Sequence, residues 1–251
     1  MNIRRLFGRK EKSASVYDEV FSFSRQLPAA ERVLILCAHP DDETLGCGGA
    51  IVRHKKAGAE VRSFVMTDGA RVRYEGSEDI GELRRHEARE AGGILGIDTV
   101  QFVDIQDMEL GKNLDRASKE LFSAMKAYKP DLVYAPSPLD FHPDHRVAFK
   151  LAMKIVRQGI RTAFYEIYMP VRFNVLIDIS EVMPLKEKAF SAYKNSLLGN
   201  PDHFKRVFKG LNTYRGFMEA AQQEEKFYEA FFVIEKEWEH NRLMKWLTYD
   251  L

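Results

Sequence analysis

The sequence is poor in the features that commit a chain to a special class. It has two cysteines in 251 residues, Cys37 and Cys47. Two cysteines cannot build a disulfide framework, and a chain of this length needs none to hold a core. No apolar run approaches the roughly 18 residues that a membrane span requires. Neither charge is in excess: 38 basic and 37 acidic residues leave a net +1 with histidine neutral. The strong basic surplus of a nucleic-acid binder is therefore missing. The opening stretch MNIRRLFGRKEKSAS is basic but has no apolar core after it, so it does not read as a signal peptide. Leu6 and Phe7 bury too little to make a firm surface anchor. The expectation is a cytoplasmic protein that binds neither nucleic acid nor membrane.

What is present is the material of one large α/β domain: 45% hydrophobic and 30% charged residues, with no repeat, low-complexity tract or linker. Strand signals fall at 33–38, 61–67, 100–105 and 131–136, with helical patterns at 45–58, 79–96, 114–130 and 142–159 between and after them. Such alternation predicts a Rossmann-like, doubly wound, mostly parallel sheet with helices on both faces. The second half is more mixed. Strands are expected at 163–168 and 174–180 and again near KFYEAFFVIE, with helices at 181–198 and 201–223 and a short final one at 238–251. Residues 1–30 read as an N-terminal extension with a helix over 17–27 ended by Pro28, and 31–251 as a single domain.

Two stretches carry the chemistry. In LILCAHPDDETLGCGG, a buried-strand pattern ends in His39, Asp41, Asp42 and Glu43. Burying that much charge is costly unless something pairs with it. In SPLDFHPDHRVA, His142, Asp144 and His145 follow the fourth strand in the same way. In a sheet of order 3-2-1-4, strands one and four are neighbours at the switch point, where ligands bind beyond the carboxyl ends. Imidazoles and carboxylates converging there are donors suited to a catalytic zinc ion, whose charge would offset the acids. The bland alternative for either motif alone is a turn followed by a helix cap. Glu43 has a simpler use in the first helical turn. GCGG lies after the acids instead of directly after the strand, so a dinucleotide loop is rejected in favour of close helix–sheet packing.

The pair AHPDDE and HPDH, with TDG at 67–69 and RHEAREAGGILG at 85–96, resembles the PIG-L/LmbE-type zinc-dependent N-deacetylases. Weaker echoes follow in KEKAFSAYKNSL and FYEAFFVIE. The resemblance implies one Zn2+ per chain held by His39, Asp42 and His145. It implies Asp41 as general base and His142 as the group that stabilises the oxyanion or protonates the leaving amine. Asp144 would orient a histidine. The implied reaction removes an N-acetyl group from an N-acetylglucosamine-type conjugate, a small-molecule partner; a homo-oligomer is left open. The loop at 70–80 and the segment 198–216 depart from the resemblance, and these are the segments that would contact substrate.

Arg73 and Arg84 are candidates for substrate contact, Arg84 with a helix-surface salt bridge as its alternative. Asp68 either lines the mouth of the site or only makes the turn with Gly69. His54, His86, His203 and His240 read as surface or core residues. Phe204, Phe208, Tyr214 and Phe217 read as core, with a cleft wall as the alternative. Two other functions fit the motifs: an amidase acting on a different conjugate, such as a thiol conjugate, or a non-catalytic sugar- or nucleotide-binding domain. The intact pair Asp41–Asp42 argues against the last.

Overall fold

The computed structural model describes residues 23–70, 80–194, 200–217 and 225–235. In chain order the elements are β1 (Arg32–Cys37), α1 (Asp42–Lys56), β2 (Glu60–Thr67), α2 (Ile80–Leu95), β3 (Thr99–Ile105), α3 (Leu114–Tyr128) and β4 (Leu132–Pro136). There follow α4 (Pro143–Val156), β5 (Arg161–Tyr165), β6 (Val175–Asp178), α5 (Met183–Phe190), α6 (Pro201–Gly216) and β7 (Tyr228–Ile234). The first four strands lie within a residue of their expected spans.

The seven strands form one sheet of order β3-β2-β1-β4-β5-β7-β6. The first five pair in parallel, and β7 runs antiparallel to both β5 and β6. Strands β1 and β4 are neighbours, with Leu34 opposite Val133 and Ile35 opposite Tyr134. Every residue from Val33 to Cys37 is buried, because both faces of β1 are covered. Val33, Ile35 and Cys37 pack with α1, α2, α5 and α6, whereas Leu34 and Leu36 pack with α3 and α4. The expected doubly wound α/β architecture is thus present. Among the described residues no helix is long and apolar enough to cross a membrane.

The glycines of α1 allow the close packing expected of them. A Cβ on Gly46 would lie 2.2 Å from the Tyr165 ring, and one on Gly49 would lie 2.5 Å from Ile179. Cys47, within the helical pattern expected at 45–58, sits inside α1 at a kink, with φ −146° and ψ 22°. The helix restarts there because Glu229 on β7 accepts the N–H groups of Gly49 and Ala50, both at 2.8 Å. Lys186 neutralises Glu229 at 2.7 Å and also donates to the Leu45 carbonyl. Removing one partner of such a buried pair costs about 3–5 kcal/mol.

Three local expectations need correction. Residues 23–27 are not helical. Ser24 forms a bridge with Val175, donating to the Asn174 carbonyl and accepting from Leu176, and so covers backbone on an edge strand. The strand expected at 163–168 ends at Tyr165, because Glu166 turns to meet Arg215. The helix expected over 181–198 ends at Phe190, because the chain turns to bury Tyr193 beneath Glu43. The rest of the 17–27 helix and the final 238–251 helix lie outside the described residues.

Candidate metal centre

At the carboxyl end of β1 the chain leaves the sheet through Ala38, His39 and Pro40 before α1 begins. Asp41 is the N-cap of α1, with φ 122° and ψ −26° and no side-chain cap hydrogen bond. A non-glycine residue in that region carries strain of about 1–3 kcal/mol and is kept only where its surroundings over-determine it. Arg84 on α2 supplies part of that determination. Its Nη2 donates to Asp41 Oδ2 at 2.8 Å and to the Pro40 carbonyl at 2.9 Å, and its Nη1 donates to the Gly69 carbonyl. Arg84 is therefore buried against the first cluster, and the helix-surface salt bridge is not what the structure holds. Asp42 Oδ2 accepts the N–H groups of Ala38 at 2.7 Å and His39 at 3.0 Å, which leaves Oδ1 facing the histidines.

From β4 the chain reaches His142, the N-cap of α4, followed by Pro143 in the first helical position. Proline loses nothing there, since that N–H has no helical partner. His142 Nδ1 accepts from the Asp144 N–H at 3.3 Å, so the neutral ring carries its proton on Nε2. His145, in the first turn, points back to the first cluster.

Three donor atoms converge. His39 Nδ1 and His145 Nε2 are 3.0 Å apart, His145 Nε2 is 3.3 Å from Asp42 Oδ1, and His39 Nδ1 is 3.9 Å from the same oxygen. Donors held about 2.0–2.1 Å from a tetrahedral zinc lie roughly 3.3 Å from one another, so these residues fit that ion. Two overlapping trios are also compact enough for a metal: His39 with His142 and His145, and His39 with Asp107 and Asp144. His39, Asp42 and His145 form a third grouping. Both nitrogens and the free Asp42 oxygen face one point, while His142 is half-buried with Nδ1 engaged by the helix cap.

Behind the histidines stand acids. His39 Nε2 is 3.3 Å from Asp107 Oδ1 and 3.6 Å from Asp144 Oδ2, and His145 Nδ1 is 2.9 Å from Asp140 Oδ2. Carboxylates beyond the far nitrogen of a metal-binding histidine hold its orientation and raise its basicity. Asp144 also accepts the Met108 N–H at 2.7 Å, and Asp68 accepts the N–H groups of Asp107 and Ala70. Asp68 therefore makes its turn and ties down the loop after β3.

The electrostatics favour a cation. Burial pulls the His39 pKa down, but Asp107, Asp144 and Asp42 outweigh it and hold the ring well above its ordinary value. Burial likewise opposes protonation of His145, yet Asp42 and Asp140 bring it to about 9. Burial pushes Asp42 up, but His145 and His39 hold it well below the carboxylate range. Positive charge is favoured at the convergence point, and a metal bound there would displace the ring protons and supply it. Asp41 differs: burial raises it to about 6, with Arg84 opposing and Asp42 reinforcing the rise. Glu43 is raised to about 7, chiefly by burial, although Tyr193 donates to it. His142 is lowered by burial and by the neighbouring His39 and His145.

Residues 34–156 match the PIG-L family, described as GlcNAc-PI de-N-acetylase. That stretch is the part of the chain that resembles the family, and it carries both His–Pro–Asp triplets. A diacetylchitobiose deacetylase of Thermococcus kodakarensis is 27% identical over 200 residues, covering 70% of this chain and 73% of that protein. The structure of N,N'-diacetylchitobiose deacetylase from Pyrococcus horikoshii superposes with a TM-score of 0.75 at 25% identity, covering 89% of this chain and 91% of the other. GalB, a 4-carboxy-2-hydroxymuconate hydratase from Pseudomonas putida, superposes with a TM-score of 0.70 at 21% identity, covering 81% and 96%. That last likeness shows the fold alone, since one fold hosts several chemistries.

Asp107 and Asp140 lie outside both His–Pro–Asp triplets. Asp140 stands two residues before His142, and Asp107 two residues after β3, the same offset as His39 from β1. Arg73 lies outside the described residues. Of the four C-terminal aromatics, Phe208 is buried against Phe190 and Phe204 packs on the core, whereas Tyr214 and Phe217 are exposed.

Proposed function

We propose that the protein is a zinc-dependent N-deacetylase that hydrolyses the N-acetyl group of an N-acetylglucosamine-type conjugate. The observation that carries this reading is the convergence of His39 Nδ1, Asp42 Oδ1 and His145 Nε2 beside an acid, Asp41, held by Arg84 instead of by the other donors. His39, Asp42 and His145 would hold the zinc. When bound, zinc acidifies water and polarises an amide carbonyl.

The chain's own residues do the rest. Asp41, next in the chain to Asp42, is held by Arg84 and by its own constrained backbone, and its raised pKa suits it to accept a proton from the attacking water. The proton then passes to the leaving nitrogen as the C–N bond breaks, giving acetate and the free amine. His142, neutral and with its Nε2–H free of the helix cap, donates a hydrogen bond to the oxygen that gains charge as the carbonyl becomes tetrahedral. Asp107 and Asp144 steady His39, and Asp140 steadies His145.

The test is amine release from a panel of N-acetylated sugars and one thiol-conjugate amide, assayed alongside the metal content of the purified protein. About one zinc per chain and amine from the N-acetyl sugars support the reading. A protein that binds no metal under metal-replete conditions overturns it.

A further inference from the structure

Beyond the metal centre the molecule displays an apolar surface that the chemistry described above does not use. Leu139 and Phe141, after β4, are 37% and 63% exposed, and Tyr168 and Met169, after β5, are 44% and 42% exposed. The two loops leave adjacent parallel strands at the end of the sheet that holds the centre. The Phe141 ring lies 5.0 Å from that of Tyr168 at an interplanar angle of 30°. Tyr168 in turn lies nearly parallel to His145, with centroids 5.6 Å apart at 17°, and 6.5 Å from His142 at 26°. The apolar surface is thus continuous with the wall of the candidate centre.

The surface is also firmly built. Glu166 and Val171 close the loop that carries Tyr168 and Met169, with the Val171 N–H donating to Glu166 Oε1 at 2.6 Å. Arg215 on α6 pairs with Glu166 and donates to the Val171 carbonyl at 2.8 Å. Glu166 and Arg215 are both buried. Asp140, behind His145, also accepts from the Tyr168 N–H at 3.4 Å. A buried ion pair has been invested in a loop whose tip presents apolar side chains to water, and exposed apolar patches of this kind mark binding sites.

We infer that Leu139, Phe141, Tyr168 and Met169 form a subsite for an apolar aglycone, aryl or alkyl, attached to the N-acetylated sugar. The inference rests on the deacetylase reading and adds the chemistry of the second half of the substrate. A second pyranose is the poorer occupant, because its hydroxyls need directed partners and Tyr168 carries the one hydroxyl of these four side chains. An aryl ring stacked on Phe141 and Tyr168 needs none and gains from both burial and ring contact.

The experiment compares kcat/KM for N-acetylglucosamine, N,N'-diacetylchitobiose, and phenyl and hexyl N-acetyl-β-glucosaminides. The phenyl or hexyl compound is expected to exceed both sugars by about tenfold. Phe141→Ser and Met169→Ser, both at exposed positions, should cut the ratio of aryl to free-sugar kcat/KM severalfold. Arg215→Lys should lower the same ratio by loosening the loop, a change that a general loss of stability would not produce. Equal use of diacetylchitobiose and the phenyl compound, or a ratio unmoved by Phe141→Ser, overturns the subsite. Calorimetric binding of phenyl β-glucosaminide, the amine product, separates the two levels of inference. If no compound is deacetylated, the deacetylase reading fails. The subsite then stands on Phe141-dependent binding of the product and falls if there is none.

Discussion

The same three letters, His–Pro–Asp, follow β1 and β4, and the fold uses them differently. In the first triplet α1 begins late: Asp41 is the N-cap and His39 lies two residues before that cap. In the second α4 begins early: His142 is itself the N-cap, Pro143 is the first helical residue and Asp144 is in the first turn. The acid of the first triplet is therefore held at φ 122° beside the centre, braced by Arg84, whereas the acid of the second turns behind His39 toward the Met108 N–H. The first histidine offers a donor to the centre, and the second spends Nδ1 on capping its own helix. A motif's letters name the chemistry available, and its register against the helix start assigns the jobs.

The sharpest way to break this comparison is to neutralise the first acid. Asp41→Asn should keep the metal and lower kcat by roughly two to four orders of magnitude, as expected when a general base is lost. Loss of metal in that variant would exchange the assignments of Asp41 and Asp42. Metal content measured with turnover on one sample decides the matter.

The histidines come next. His142→Ala should retain metal while kcat falls roughly 10²–10³-fold, the scale of a lost oxyanion donor. His145→Ala should lose the metal. Equal metal loss in both would place His142 in the coordination shell, as the compact His39–His142–His145 trio permits.

A smaller effect is expected behind His39. Asp107→Asn should weaken metal binding about 10–100-fold, read by competition with a chelator. Unchanged affinity would leave Asp144 to steady His39 without it.

The smallest effect lies farthest from the reaction. His54, near the end of α1, reaches the Tyr134 hydroxyl on β4 at 2.9 Å and so ties the helix behind the first triplet to the strand before the second. Burial, helped by Arg161, lowers its pKa from 6.5 to about 4. Between those values the unfolded chain binds a proton that the folded protein refuses, so stability is full above about 6.5 and falls as pH drops toward 4. Denaturant unfolding should show wild type losing about 2 kcal/mol more than His54→Gln between pH 7 and pH 5. Parallel losses in the two proteins would mean that His54 is not held neutral.

Much of the fold was legible because its signals are local. Apolar runs closed by glycine or proline placed the first four strands within a residue, and their alternation with helices implied the β3-β2-β1-β4 order. That order brought His39 and His145 into one reading although 106 residues separate them. Legibility failed where a distant partner decided the local conformation. Nothing in GCGG announces a kink whose restart is capped by Glu229, about 180 residues away. Nothing in SAYKN announces that Tyr193 donates to Glu43 and so ends α5 early. Asp107 and Asp140 are not marked by their neighbours in sequence, because a carboxylate's use depends on which ring nitrogen it meets.

The sequence by itself determined the kinds of donor available, their positions at the ends of two strands, and the doubly wound sheet that makes those ends neighbours. These follow from hydrophobic period and breaker residues, which act over a few positions. Only the tertiary structure decided that Asp42 offers Oδ1 to the histidines while Asp41 turns to Arg84, that His142 caps its own helix, and that Phe141 and Tyr168 stay exposed beside the centre. The reason is physical: orientation and exposure are set by packing and hydrogen-bond satisfaction among residues brought together from across the chain, and no short stretch of sequence contains those partners.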